Sequence, residues 1–570
     1  MNIKAYKKDI ITLSILTVAI LLITWLLLNV DLKIGVYYIR DVYGYLNNAL
    51  FFAGYDSGVS TLRGLAPVIP LITSIFFRLG FIYDGTIIIV SSIFYVLSVI
   101  GMYLLLRLRF NELMSFTGAI ILATFPINLV WATKGMLDLP GLCISIWAIY
   151  FTILSFKKSP KFLYITFPLL IIGFFTRYTV ALIIPVVLIQ FLLIENPIGY
   201  IKSNLKHIII AVVLGIITLL IFIGIYSYFN LPPFFLSQTA TISSSNSANS
   251  VAAPVENNLL YYINNMLLYM GAPNFIPYSL EPGAFSIFTM NWHGGHPSII
   301  SYALFLIIIV GIAIYIKNLS NSENKISINE KNTKALVLTS LLTLILFLAT
   351  YTRISIFLSL AILSISLLAM YLVLNKSETE HMNLDFIFIY WFLMNFIFFT
   401  YHHTKVDRYA ITFTPFLAYM IILSLSLIFD KVKSYKHGEK IKIIVPIALI
   451  CAILLCTGVY CINNDPHTFD NQVHPNLVNA SNEEKMVGNW LINHDKNYSN
   501  KTIWADRGGD MSFLLKMHIP SLEHISNSSN FTDTMINENV TYFIAKDNKT
   551  IGQPYVKLYQ NGEVSIYSNR

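Results

Sequence analysis

Charge is the scarcest ingredient of this 570-residue chain. Asp, Glu, Lys and Arg together make up 12% of it, about half of what a soluble domain carries. A water-facing surface for the whole chain is therefore excluded. Cysteine is also scarce: Cys143, Cys451, Cys456 and Cys461 fall in or at the edge of apolar runs, without the paired spacing of a metal site or the density of a disulfide framework. There is no glycine-rich phosphate loop and no Rossmann-type fingerprint, so a nucleotide-sugar site is not expected. The formal charge of +8 forms no polyanion-binding surface, and nucleic acid is excluded as a partner.

What is present is apolar: 56% of residues are hydrophobic and the mean hydropathy is +0.65. Repeated apolar runs of about 17–23 residues read as membrane-spanning helices. Spans are expected at 10–30, 86–106, 115–131, 139–155, 162–175, 178–194, 207–229, 299–316, 335–350, 354–374, 385–400, 410–429 and 443–461, about thirteen in all. The first run follows Lys4, Lys7 and Lys8, is too long for the apolar core of a signal peptide and has no small-residue cleavage site behind it. An uncleaved span is expected there. Leu65–Phe81, with Pro67, Pro70 and Arg78 between Gly64 and Gly80, reads as an interfacial helix. The fold class expected is mainly α, a polytopic membrane helical bundle over 1–461.

Lysine and arginine set the orientation. With the N-terminus in the cytoplasm, the inner segments hold 20 Lys and Arg in 76 residues and the outer ones 9 in 145. The outer loops are then 31–85 and 230–298, the second without a single Lys or Arg, and the odd number of spans sends the tail outside. That tail, 462–570, is polar. Short β-rich runs such as Val540–Ala545 and Tyr555–Tyr559 predict a small extracytoplasmic α/β or α+β domain. It contains Asn-x-Ser/Thr tripeptides at Asn479, Asn497, Asn500, Asn527, Asn530, Asn539 and Asn548, which fit an external location and also arise by chance in an Asn-rich chain.

Pumps and coupled carriers keep ionisable residues inside their spans. The span cores here contain no Asp, Glu, Lys or Arg, and charges gather at outer helix ends and in outer loops. That points to work at the external membrane face. The first outer loop reads Tyr38-Ile-Arg40-Asp41-Val-Tyr43-Gly-Tyr45, followed by an amphipathic segment and Gly64-Leu-Ala-Pro67-Val-Ile-Pro70. On these residues the chain resembles the GT-C type membrane glycosyltransferases, especially the family 39 / protein O-mannosyltransferase and lipid A aminoarabinose transferase relatives. As architecture the resemblance covers most of the chain.

The resemblance implies that Asp41 is the catalytic acidic residue of the first outer loop. Many relatives carry two consecutive acids there, whereas position 42 is Val, which weakens a metal bridged by paired carboxylates. Asp138, in Ala132-Thr-Lys134-Gly-Met-Leu-Asp138-Leu-Pro140, matches an acidic residue that helps bind metal in some relatives. Either acid also suits a helix start. No cofactor is required by this reading, and a divalent metal is left open.

Few cations stand on the outer side, so those retained invite an anion. Arg177, Arg353, Lys405 and Arg408 are candidates for a lipid phosphate, because guanidinium forks bind phosphate oxygens bidentately. Lys405-Val-Asp-Arg408-Tyr409, leading to Pro415, resembles the Lys/Arg-x-x-Arg-Tyr…Pro pattern before a late span in these transferases. Snorkelling to headgroups is the ordinary alternative. Arg63, Lys134, and His293 and His296 of the Asn-Trp-His-Gly-Gly-His-Pro stretch are weaker substrate-contact candidates. Trp504-Ala-Asp506-Arg507 lacks the doubled Trp and Asp-Tyr-Gly of oligosaccharyltransferases, which disfavours that activity.

The resemblance therefore implies an inverting transfer of a sugar from a polyprenyl-phosphate donor to an acceptor hydroxyl at the outer face, with Asp41 as base. The acceptor is a protein, a lipid or an envelope glycan. Rival readings are a lipid-linked-oligosaccharide polymerase or ligase, and a flippase or transporter.

Overall fold

The computed structural model describes all residues except 1–2, 37–39, 56–63, 233–257, 273–296, 321–330, 375–380, 403–404, 434–437, 463–474, 523–529, 547–548, 550 and 570. The first helices are α1 (Ile3–Ile34), α2 (Arg40–Ala53), α3 (Val68–Arg78), α4 (Gly85–Leu106), α5 (Glu112–Thr124), α6 (Pro126–Trp131), α7 (Asp138–Lys157), α8 (Leu163–Thr176), α9 (Ile183–Leu192), α10 (Pro197–Ser203) and α11 (Leu205–Tyr228). Two single turns, α12 (Tyr261–Asn264) and α13 (Met266–Tyr269), precede α14 (Ile299–Ser320), α15 (Lys331–Thr350), α16 (Ile356–Leu374), α17 (Met382–Tyr401), α18 (Thr414–Val432) and α19 (Gly438–Ile462).

Every expected span is helical, but they are not equally long. Among the described residues, ten helices are long and apolar enough to cross a membrane, or eleven if the pair around α9 and α10, bent by 97°, forms one broken span. The expected span 115–131 is two helices. Phe125 precedes Pro126 and is held extended (ψ 131°), because the proline ring excludes the helical region from its neighbour. The expected span 162–175 is also short. It starts behind Pro160 and stops where Arg177 turns extended (φ −157°, ψ 120°). The second break places Arg177 in the candidate site. At the other end of α5, Asn111 Oδ1 accepts the Met114 amide at 3.0 Å, an ordinary N-cap.

One core runs through α4, α5, α7, α17 and α18, with Tyr95, Tyr103, Trp391 and Tyr419 fully buried. α11, α14 and α15 leave most of their apolar side chains exposed, as helices facing hydrocarbon do. A second core lies beneath the amphipathic α2. Val42, Leu46, Ala49 and Leu50 recur at helical spacing and bury against Ile69, Phe77, Ile87, Met136 and Phe222.

The tail carries α20 (Pro475–His494), β1 (Ile503–Ala505), α21 (Gly508–Leu515), α22 (Phe531–Asn537), β2 (Tyr542–Ala545), β3 (Tyr555–Asn561) and β4 (Val564–Asn569). Its sheet has the order β1-β2-β4-β3, parallel between β1 and β2 and antiparallel elsewhere. The tail docks on α2. Phe513 enters the second core, its ring 6.1 Å from that of Tyr43, and Asn47 Nδ2 donates to the Gly509 carbonyl at 3.0 Å. Lys485 pairs with Asp84 at the start of α4, 3.1 Å apart. The tail thus braces the helix that carries Asp41.

Candidate active site

Four segments converge at one end of the bundle. Asp41 stands in the first turn of α2, inside the helix rather than capping it, where the helix dipole favours a carboxylate. Asp138 is the first residue of α7. Arg177 is the extended residue that separates α8 from the 3-10 helix Tyr178–Leu182. Arg408 is the second residue of the 3-10 helix Asp407–Phe413. Arg408 Nη2 lies 2.8 Å from Asp41 Oδ2, and Arg177 Nη1 lies 2.7 Å from Asp138 Oδ1.

The two ion pairs share one cluster. Arg408 is within electrostatic reach of Asp138 as well as Asp41. Tyr45, one turn beyond Asp41, senses all four charges. Burial pushes its phenol well above the ordinary value, Asp41 and Asp138 add to that, and Arg408 and Arg177 oppose it. The pairs differ in solvent access. Asp138 and Arg177 side chains are 3% and 11% exposed, whereas Arg408 is 17% and Asp41 54% exposed.

Aromatic rings hold the guanidinium groups. Phe399 and Tyr409 stack at 4.6 Å, Arg177 lies 5.3 Å from the Tyr409 ring and 5.9 Å from Phe399, and Arg408 lies 5.8 Å from Tyr409. Gly141, one turn into α7, lets Arg177 lie against the helix: a Cβ there would come within 3.2 Å of the Arg177 Cβ. Gly135 (φ +72°) makes the left-handed turn that seats residues 132–137 beneath Val42. Beyond Arg177, Ser145, Thr179, Asn395 and Thr412 line a narrow crevice together with the apolar Leu142, Val180, Ile183 and Trp391.

The remaining expected residues are distributed differently. Lys405 Nζ donates to the carbonyls of Thr400 (2.7 Å) and His402, closing the C-terminal end of α17. Lys134 lies 2.6 Å from Asp31, a buried acid that also accepts the Thr133 hydroxyl. Arg353 is exposed in the turn between α15 and α16, and no side-chain bond joins it to the cluster among the described residues. Arg63, His293 and His296 lie outside the described residues. Sequence reasoning missed Tyr45, Asp31 and Asp407. The Asp407 carboxylate accepts the hydroxyls of Tyr261 (2.8 Å) and Tyr269 (2.6 Å), which ties α12 and α13 to the segment carrying Arg408. The i,i+4 spacing of Asp41 and Tyr45 is the signal that could have found Tyr45.

A divalent cation fits this donor set poorly. Each carboxylate already faces a guanidinium, and among the described residues no three His, Cys, Asp or Glu side chains gather as metal ligands do.

A mainly helical membrane bundle, a small sheet domain braced on the first external helix, and acids and arginines gathered beneath it define a membrane protein with the GT-C glycosyltransferase fold. The resemblance read from the sequence holds: residues 65–222 match the model of the dolichyl-phosphate-mannose-protein mannosyltransferase family. ArnT from Cupriavidus metallidurans has the same fold. Its apo structure superposes with a TM-score of 0.53 at 10% identity, covering 98% of both chains. Its structure bound to undecaprenyl phosphate gives 0.54 at 10% identity, covering 97% of this chain and 98% of that one. The archaeal oligosaccharyltransferase AglB from Archaeoglobus fulgidus, in complex with an inhibitory peptide and a dolichol-phosphate, gives 0.46 at 14% identity over 95% of this chain and 70% of its own. No curated protein matches the chain by sequence.

Proposed function

We propose that the protein transfers a sugar from a polyprenyl-phosphate donor to an acceptor hydroxyl at the outer membrane face, with the N-terminus cytoplasmic and the tail domain external. The observation that carries this reading is a half-exposed carboxylate, Asp41, beside a shielded guanidinium, Arg408, with a second guanidinium in the same cluster. The undecaprenyl phosphate held by ArnT on the same fold is in keeping with a lipid-phosphate donor.

In this mechanism Asp41 accepts the proton of the acceptor hydroxyl as its oxygen bonds to the anomeric carbon. The bond from that carbon to the phosphate oxygen breaks, and its electron pair leaves with the phosphate. Arg408 neutralises the charge that grows there, with Arg177 in support; both are already oriented by Tyr409 and Phe399. Attack opposite the leaving group inverts the anomeric centre. Lys405 acts indirectly, by fixing the end of α17 from which the Arg408 segment departs. Asp138 holds Arg177 and keeps it from drifting to solvent.

The test is a membrane preparation supplied with a donor labelled in both sugar and lipid. Transfer predicts labelled sugar on an acceptor hydroxyl with inverted configuration, and the carrier recovered as its monophosphate. Both labels crossing the membrane together, without cleavage, would instead identify a flippase.

A further inference from the structure

We infer that Asp41 occupies, in the ligand-free protein, the place the donor phosphate takes on Arg408, so that donor binding releases the base. The inference rests on the function proposed above and adds an order of events to it.

Three observations carry it. First, the Arg408 guanidinium is fixed. It is largely shielded, rests on Tyr409 at 5.8 Å and has Met136 Sδ 3.6 Å from Nη1. Its Asp41 partner is 54% exposed, so the carboxylate is the half of the pair free to move. Second, Arg408 Nε is buried with no hydrogen-bond acceptor among the described residues. One carboxylate oxygen on Nη2 leaves the guanidinium fork half used, and a phosphate offering two oxygens satisfies it better. Third, the neighbouring acids are not available for that exchange. Asp407 is engaged by Tyr261 and Tyr269, and Asp138 is buried against Arg177. Breaking a buried pair is costly, whereas a pair with one half in water is weak. Among the described residues, only Asp41 combines contact with Arg408 and freedom to leave it.

The consequence is an ordered reaction. While Arg408 holds Asp41, the carboxylate oxygen that would meet the acceptor hydroxyl is taken up by the guanidinium and the phosphate site is masked. A lipid phosphate that takes Arg408 frees Asp41 to meet the acceptor hydroxyl, so the donor binds first. The sign of this effect is unusual, since removing the catalytic acid should improve donor-site binding.

The experiment is equilibrium binding of farnesyl monophosphate to the purified full-length protein in detergent, with farnesol as the uncharged control. Wild type should bind the phosphate, Arg408→Gln should bind it at least tenfold more weakly, and Asp41→Asn should bind it about threefold to fivefold more tightly, the scale of an exposed ion pair. In the double variant the gain from Asp41→Asn should vanish, because the group it unmasks is gone. A gain that persists in the double variant belongs to net charge alone and overturns the exchange. So does unchanged or weaker binding by Asp41→Asn while Arg408→Gln still loses affinity; in that case the phosphate site itself stands. Equal binding by wild type and Arg408→Gln removes the phosphate site, and both readings fall together.

Discussion

α17 carries a charged cluster at each end, and the two are built from the same chemical groups. At its start, Asp385 accepts from Arg109, Tyr419 and, at 3.0 Å, Tyr315. At its end, some 25 Å away by helical rise, come Arg177, Arg408, Tyr409, Asp41 and Asp138. The first cluster is closed. Asp385 is 4% and Arg109 11% exposed, and one carboxylate gathers all three donors. The second is open on one side, through Asp41. A buried acid surrounded by donors joins helices; the same acid left half in water beside a fixed cation can change partners and do chemistry. The difference lies in access, not in residue type.

That contrast can be broken at either end. The largest expected effect on rate is at the open cluster: Asp41→Asn should cost about a hundredfold to ten-thousandfold in transfer, the usual worth of a general base, without altering the melting temperature in detergent. Asp385→Asn should do the reverse. It should lower stability by about 3 kcal/mol, because Arg109 is left buried without its anion, and the surviving folded protein should keep most of its turnover. A thermal melt paired with an activity assay separates the two. If Asp385→Asn abolished turnover in protein that melts normally, the closed cluster would not be merely structural.

Asp138→Asn falls between these extremes, since its pair is buried but belongs to the open cluster. It should cost about 3 kcal/mol in stability and also weaken donor binding, because Arg177 loses its anchor. Gly141→Ala should sharpen the point with a smaller effect. Alanine favours the helix by about 1 kcal/mol, yet its methyl group meets Arg177, so a several-fold rise in the KM for donor is expected without loss of stability. The smallest effect lies in the tail. The Asn497 amide, followed by the Tyr542 hydroxyl, holds the Asp495 carboxyl below its ordinary range. Its contribution is present above the ordinary carboxylate range and is lost as pH falls through the lowered value. Asp495→Asn should therefore flatten the acid limb of the tail's melting curve and leave transfer at neutral pH unchanged.

The helices were legible in the sequence because hydrocarbon imposes an apolar run on every span, and such runs can be counted. The breaks at Pro126 and before Arg177 were less visible, since a proline within an apolar run is also tolerated in membrane helices. Much of the candidate site was legible as residue types: Asp41, Asp138, Arg177, Arg408 and Tyr409 all lie in the cluster. Their pairing was not. Asp41 and Arg408 are 367 positions apart, and no local pattern says which carboxylate a distant arginine will meet. Lys405 shows the same limit from the other side. A lysine three residues before an arginine suggested a shared anion, whereas its ammonium turns back to the carbonyls of the helix it follows. Asp31 escaped notice because it sits at the last turns of α1, where an acid reads as the edge of a loop.

Single-turnover transfer at saturating donor, with carrier binding measured on the same samples, tests the central claim most directly. In Asp41→Asn the rate should collapse while the lipid phosphate remains bound. Wild-type turnover in that variant would contradict the account, because a carboxylate that can be removed without loss of rate is not the base.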